Sequence, residues 1–246
     1  MKKRALILSV LLNLFFIAGA LTVVKVKGGF GYLWIKTSSM IRGQGFHRDY
    51  NPHYFHRKEL FDQLPAQAGD TLVIGDSLIE HCEWADLLED ANARNRGIAG
   101  DDTLGVLHRI EKVLRTEPPR EILLMVGIND LFRHIPQKRI LANYETILKR
   151  IQILAPDCKI LVHELLPIDE RLAPQPIDST VIRSLNKELH ALCRKLDIAY
   201  LESFEAFDQN EDGRLDETFS RDGVHLNAKG YTIWKQLLES KETSNQ

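Results

Sequence analysis

Short apolar runs alternate with amphipathic stretches over most of the chain, and this alternation constrains the fold more than any other feature. Thr71-Leu72-Val73-Ile74 is rich in β-branched residues and ends at Gly75. Ile122-Leu123-Leu124-Met125-Val126 ends in the same way at Gly127, and Lys159-Ile160-Leu161-Val162 and Ile198-Ala199-Tyr200-Leu201 follow. Each has the length and composition of a buried strand. Ala93 to Arg96 is a weaker candidate of the same kind. Between these runs, Leu104, Leu107, Ile110, Val113 and Leu114 keep helical spacing, and Pro118-Pro119 stop that helix. Ile140, Tyr144, Ile147, Leu148, Ile151 and Leu154 mark a longer helix, with further helices over Ile182 to Leu196 and Tyr231 to Leu238. Apolar strands separated by helices imply an α/β fold, a parallel sheet of about five strands covered by helices on both faces. Ligands in such folds sit at the carboxyl ends of the strands. Neither an internal repeat nor a second folded domain is evident.

The N-terminus has a different character. Lys2, Lys3 and Arg4 precede an apolar run from Ala5 to Val24, interrupted only by Ser9, Asn13 and Thr22 and closed by Lys25 and Lys27. As a helix this run would span about 30 Å, one hydrocarbon core. Ala18-Gly19-Ala20 offers a cleavage site, but the apolar run continues past it, which favours a retained anchor over a cleaved signal peptide. Residues 1–27 are therefore expected to be a signal anchor or signal peptide. The basic flank should stay inside, placing the folded domain outside the cytoplasm, membrane-anchored, or secreted or periplasmic if cleavage occurs. Residues 28–58 read as a juxtamembrane linker, loosened by Gly28, Gly29, Gly31, Gly43 and Gly45, with Phe30, Tyr32 and Trp34 suited to a membrane interface. His47, His53 and His56 lack an acid or cysteine to complete a metal set, so a solvated linker is the better reading. Residues 59–246 form the folded domain.

Charge and cysteine usage exclude several classes. Five of the 32 basic residues lie in the first 27 positions, leaving 27 basic against 34 acidic residues in the remainder. Such an acidic body is unsuited to nucleic acid, whose phosphates require a basic face. Cys82, Cys158 and Cys193 are odd in number and far apart, with no CxxC pair. They indicate neither a zinc site nor a disulfide framework and read as buried thiols, with one bridge left open for an exported domain. No cofactor or metal is expected.

The chemistry-bearing residues fall at strand ends. Ser77, in Gly75-Asp76-Ser77, follows the first strand at a strand-to-helix turn, where backbone N–H groups can hold an oxyanion. A plain helix cap is the alternative. Asp222-Gly223-Val224-His225 lies before the last helix; an acid three residues before a histidine can orient its imidazole, which can then take a serine proton. Gly100, in Gly97-Ile98-Ala99-Gly100-Asp101, and Asn129, in Gly127-Ile128-Asn129-Asp130, sit where a backbone N–H and a side-chain amide could meet a substrate carbonyl. Ordinary turn chemistry would also place Gly and Asn there.

These four blocks, in this order, resemble the SGNH (GDSL) hydrolase superfamily. Asp222-Gly223-Val224-His225-Leu226-Asn227-Ala228-Lys229-Gly230-Tyr231 resembles the branch with platelet-activating-factor acetylhydrolase-like and sialate O-acetylesterase-like enzymes. The resemblance runs from residue 70 to 239 and leaves out the first 69 residues. It implies a flavodoxin-like three-layer α/β/α sandwich and metal-free hydrolysis of carboxylic esters. It also implies Ser77 as nucleophile, His225 as base and Asp222 as its partner. The Ser77 N–H, the Gly100 N–H and the Asn129 side chain would form the oxyanion hole. Substrates would be small acyl esters of carbohydrate or lipid. Lysophospholipid or thioester cleavage, O-acetyl transfer and a tethered, inactive binding module are the rivals.

One loop stands apart. Asp208-Gln209-Asn210-Glu211-Asp212-Gly213-Arg214-Leu215-Asp216 matches the first part of a calcium-binding loop, but Phe219 occupies the position of the required bidentate Glu. An Asp/Asn/Gly-rich turn is the better reading.

Overall fold

The computed structural model describes residues 52–244, together with Ser9, Leu12, Asn13, residues 16–18 and Thr22, and divides into units over residues 1–50 and 51–246. The described residues of the first unit are helical. Among the described residues no helix is long and apolar enough to cross a membrane. Most of the apolar run 5–24, together with Phe30, Tyr32, Trp34 and His47, lies outside the described residues.

In the second unit, five strands carry the sheet: β1 (Thr71–Gly75), β2 (Ala93–Gly97), β3 (Glu121–Met125), β4 (Lys159–His163) and β5 (Ala199–Leu201). All pairs are parallel, in the order β2-β1-β3-β4-β5. This is the flavodoxin-like order, and it puts the topological switch between β1 and β3. The interior strand β1 is buried at every position and the central strand β3 at all but its first, as expected of strands covered on both faces.

The helices are α1 (Pro52–Gln63), α2 (Ser77–Glu80), α3 (Trp84–Leu87), α4 (Thr103–Val113), α5 (Ile128–Phe132), α6 (Gln137–Leu154), α7 (Ser179–Lys195), α8 (Phe204–Phe207) and α9 (Ala228–Ser244). One layer is formed by α1, α4, α6 and α7, each packed on the next in turn. Its core stripe is the sequence-read one: Ile140, Tyr144, Ile147, Leu148 and Ile151 of α6 are buried. The Tyr144 hydroxyl donates to the Val126 carbonyl at 2.6 Å, tying α6 to the end of β3. On the other side α9 meets α3, with the Trp84 and Trp234 rings 5.1 Å apart and nearly perpendicular, a favourable edge-to-face geometry. The three-layer α/β/α expectation therefore holds. The three cysteines are free and buried.

One sequence reading meets different structure. Residues 52–58, read as linker, belong to helix α1, whose Tyr54 and Phe61 are buried and form a cluster with Ile98. The folded unit therefore starts ahead of residue 59. In the loop at 208–216, Asp208 is buried and its carboxylate accepts the N–H groups of Asp212 and Gly213 at 3.0 Å and the Arg183 guanidinium at 2.9 Å. Among the described residues no cluster suited to a metal ion occurs.

Candidate active site

Strand β1 delivers Ser77 to the carboxyl edge of the sheet. Asp76 is the N-cap of α2, accepting the Leu78 N–H at 3.1 Å, and Ser77 is the first helical residue. The cap is thus Asp76, and the Ser77 hydroxyl is left for other partners. Burial and the nearby charges of Asp101 and Asp130 push the Asp76 carboxyl up to about 7.

The partner of Ser77 comes from 148 residues further along the chain. His225 Nε2 lies 2.9 Å from Ser77 Oγ, and His225 Nδ1 lies 2.7 Å from Asp222 Oδ2. A carboxylate only accepts, so Nδ1–H donates to Asp222, Nε2 carries the lone pair and the Ser77 hydroxyl donates to it. Asp222 Oδ1 meanwhile accepts the backbone N–H groups of His225 at 2.8 Å and Val224 at 3.0 Å. Partial burial alone would raise the Asp222 pKa, but these donors outweigh it and hold the carboxyl down at about 2. The loop is closed by an antiparallel bridge between Ser220 and Leu226 and braced by Asp169, whose N–H donates to the Gly223 carbonyl at 2.8 Å. His81, at the end of α2, places its ring 5.0 Å from that of His225; partial burial and this neighbour lower its pKa.

Gly100 and Asn129 leave the two strands that flank β1. Gly75 is in register with Gly97 on one side and Met125 on the other, so the turns carrying Ser77, Gly100 and Asn129 start from adjacent strand ends. Asn129 Nδ2 donates to the Asp101 carbonyl at 2.9 Å, which ties it to the residue after Gly100. Gly100 has a φ of 77°, a left-handed conformation that a side chain would strain. Among the described residues, the backbone N–H groups of Ser77 and Gly100 have no protein acceptor.

A polar framework holds the Gly100 turn. Arg133 donates to the Gly100 carbonyl at 2.6 Å and to Asp102 at 2.9 Å. Asp101 and Arg109 form a fully buried ion pair at 2.9 Å, and Arg109 also donates to the Gly75 carbonyl at 3.1 Å. Asp130 accepts the N–H and hydroxyl of Thr103 at 2.9 and 2.6 Å; burial pushes its carboxyl up to about 7. Gly97 lets α2 lie directly on β2, because a Cβ there would come within 2.3 Å of the Glu80 nitrogen. Sequence reasoning missed Thr103 and Arg109, on α4, and Arg133, the C-cap of α5, because charged and hydroxyl residues there ordinarily signal a solvated face.

A cavity of about 960 Å³ opens at the opposite edge of the sheet, among Thr71, Arg120, Lys159 and Lys241. It contains no nucleophile paired with a base. A hydroxyl hydrogen-bonded to an oriented imidazole, beside unpaired backbone donors, is instead suited to attack on a carbonyl carbon.

A model of the GDSL-like lipase/acylhydrolase family matches residues 73–233. The chain belongs to this family. It is therefore a carboxylic ester hydrolase of the GDSL type. Among curated proteins, it is 29% identical over 181 residues to platelet-activating factor acetylhydrolase IB subunit alpha1 of Rattus norvegicus, covering 70% of this chain and 74% of that protein. It is likewise 29% identical to the alpha2 subunit of Homo sapiens, over 69% of this chain and 75% of that one. Among solved structures, a protein of Streptococcus pneumonia named for platelet activating factor superimposes with a TM-score of 0.72 at 23% identity, over 77% of this chain and 92% of the other. A GDSL-like lipase of Bacteroides thetaiotaomicron does so with a TM-score of 0.66 at 19% identity, over 78% and 98%. At those identities the two structures speak for the fold.

Proposed function

We propose that this GDSL-type hydrolase is a serine esterase acting through Ser77, His225 and Asp222, with the N–H groups of Ser77 and Gly100 and the Asn129 side chain as oxyanion donors. The observation that carries the reading is the continuous relay from Ser77 Oγ through His225 to Asp222, at 2.9 and 2.7 Å. Ser77 Oγ attacks the acyl carbonyl while its proton passes to His225 Nε2, and Asp222 stabilises the imidazolium. The carbonyl oxygen, now an anion, rests on the donors. His225 returns the proton to the alcohol as the C–O bond breaks, leaving an acyl-serine. Water then gives a proton to His225, its oxygen attacks the acyl carbon, and the acid departs as Ser77 regains its proton.

The acyl group in this reading is short, acetyl first, on carbohydrate or lipid. Support comes from the curated relatives, which are named acetylhydrolases. The N-terminal segment is read as holding the enzyme at a membrane through residues 5–24, with the hydrolase domain exported. The basic residues before the apolar run support that orientation.

The test follows p-nitrophenol release from acetyl, butyryl and octanoyl esters by the full chain and its Ser77→Ala variant. The parent turns over the acetyl ester fastest, and the variant loses about 10⁶-fold. Equal turnover by the two proteins, or none by the parent, overturns the assignment.

A further inference from the structure

Helix α1 lies ahead of the segment that the family model matches, yet it reaches the turn that carries Gly100. The link is Glu80. This residue closes the same four-residue helix that Ser77 opens, and its side chain is largely buried. One carboxylate oxygen faces α1: His53 Nε2 lies 2.6 Å from Glu80 Oε1, and Arg57 Nε lies 3.1 Å from the same atom. The other oxygen, Oε2, accepts the backbone N–H of Ala99, the residue before Gly100. Arg57 makes a second contact with the same region, donating to the Gly97 carbonyl at 3.1 Å. Its guanidinium sits 4.8 Å from the centroid of the Phe61 ring, a cation–π geometry that restrains the side chain. Tyr54 and Phe61 then pack on Ile98, within the same turn.

The amides of this turn show what Glu80 accomplishes. Ile98 N–H donates to the Gly75 carbonyl at 3.1 Å, and Asp101 N–H donates to the Ile98 carbonyl at 3.0 Å. Ala99 N–H goes to Glu80. Of these four successive amides, the Gly100 N–H alone is left for a ligand among the described residues. The carbonyl side of the Gly100 peptide is fixed by Arg133 at 2.6 Å. Among the described residues the amide side has one side-chain tether, and that is Glu80. A carboxylate accepting a backbone N–H is a strong, directional contact.

We propose that Glu80 is a positioning residue for the ester-hydrolysis reaction. Clamped by His53 and Arg57 of α1, it sets the distance between the Ser77 nucleophile and the Gly100 N–H. Through it, α1 becomes part of the esterase machinery without touching substrate. The inference rests on the reading of Gly100 as an oxyanion donor. Loss of an oxyanion donor costs about 10²–10³ in turnover, and a misplacement near 1 Å about 10². Releasing the tether leaves the donor present but unaimed, so a loss of about 10- to 100-fold is expected.

The experiment compares the full-length parent with Glu80→Ala, Glu80→Gln and Arg57→Ala. It measures kcat and KM on p-nitrophenyl acetate, inhibition by a trifluoromethyl ketone that forms a tetrahedral serine adduct, and amide exchange of the 98–101 turn. Glu80→Ala is expected to lower kcat about 10- to 100-fold with KM within about twofold, and to weaken the ketone by the same factor, because both depend on the oxyanion donor. Glu80→Gln keeps an acceptor for Ala99 and recovers most of the loss. Arg57→Ala falls between them. Amide exchange at 98–101 rises in Glu80→Ala while β4 keeps its protection. Parental kcat and parental ketone affinity in a folded Glu80→Ala would overturn the proposal. So would a loss carried wholly by KM, or unchanged exchange at the turn. If the parent hydrolyses no ester, the esterase reading fails first, and the exchange arm still decides whether Glu80 orders the turn.

Discussion

Replacing Asp222 by Asn separates two accounts of this carboxylate by several orders of magnitude. The side chain is 55% exposed, so as a plain ion pair with His225 it would be screened by water and worth about 0–1 kcal/mol, at most about fivefold in rate. The hydrogen-bond pattern gives a different answer. Oδ1 accepts two backbone N–H groups, from His225 and Val224, and Oδ2 faces His225 Nδ1. An Asn at this position keeps its oxygen toward the two N–H donors, because its NH₂ would oppose both. Its NH₂ then faces Nδ1 and donates to it. The imidazole proton moves to Nε2, where the lone pair for the Ser77 proton had been. Such a tautomer reversal is worth about 10⁴ in kcat, or about 5.5 kcal/mol. The expected outcome for Asp222→Asn is therefore a fall of about 10⁴ in kcat on p-nitrophenyl acetate at neutral pH, with KM changed only a few-fold. Thermal stability should stay near the parent's, because the change is isosteric and half exposed. A variant within tenfold of the parent would refute the tautomer argument and leave the screened ion pair. The depressed pKa adds a condition: Asp222 remains ionised in the folded protein down to about pH 2, so an acid limb in the parent's kcat/KM above that belongs to another group.

Two stability predictions follow from the same edge of the sheet. Gly97→Ala puts a Cβ 2.3 Å from the Glu80 nitrogen and 2.8 Å from the Ile79 carbonyl carbon; both atoms are backbone and cannot rotate away. The expected result is a loss of about 1–3 kcal/mol, a fall in Tm of several degrees by calorimetry, and reduced turnover as α2 is displaced from β2. Asp76, with its pKa raised from 3.8 to about 7, favours its protonated form in the fold. The stability it contributes is full below about pH 3.8 and is lost as the pH rises through about 7. Asp76→Asn keeps an acceptor for the Leu78 N–H and removes that titration, so its Tm should gain on the parent's between pH 4 and pH 7. Parallel Tm curves over that range would contradict this.

The central strands were legible because burial on both faces demands continuous apolar runs, and β1 and β3 supply them. The edge strand β2 was harder to read. It pairs with β1 alone, and its residues Arg94, Asn95 and Arg96 serve polar ends nearby. Asn95 Nδ2 donates to the carbonyls of Ile79, Glu80 and Cys82 around the end of α2, and Arg96 donates to the Leu64 carbonyl. Helix α1 escaped periodicity for a related reason. Only Tyr54 and Phe61 are buried, two turns apart, while Phe55 and Leu60 are exposed. Its attachment runs through His53 and Arg57, whose residue types ordinarily signal solvent. The candidate site was legible at Ser77, Gly100, Asn129, Asp222 and His225 because each follows or precedes a recognisable element in a short motif. Their supports were not, since Glu80 reaches Ala99 across 19 residues and Arg133 reaches Gly100 across 33. No local pattern encodes contacts of that range.

There is a physical reason why these supports are polar. An oxyanion site needs backbone N–H groups that stay unpaired in the free protein, and an unpaired donor in an otherwise buried turn is costly. The turn therefore has to be held in place by groups other than the donor itself. Apolar packing can press on such a turn but cannot select which of its amides remains open. Hydrogen bonds can, one at a time: Gly75 accepts from residue 98, Glu80 from residue 99 and Ile98 from residue 101, while Arg133 takes the carbonyl of residue 100. The same logic accounts for the buried Asp101–Arg109 pair. Such a pair gains little net stability over an apolar substitute. This one, however, joins the residue after Gly100 to the Gly75 carbonyl at the end of β1. The strand that presents Ser77 and the turn that presents Gly100 are thus referenced to one guanidinium, and a Leu–Leu contact of equal volume would hold neither in register.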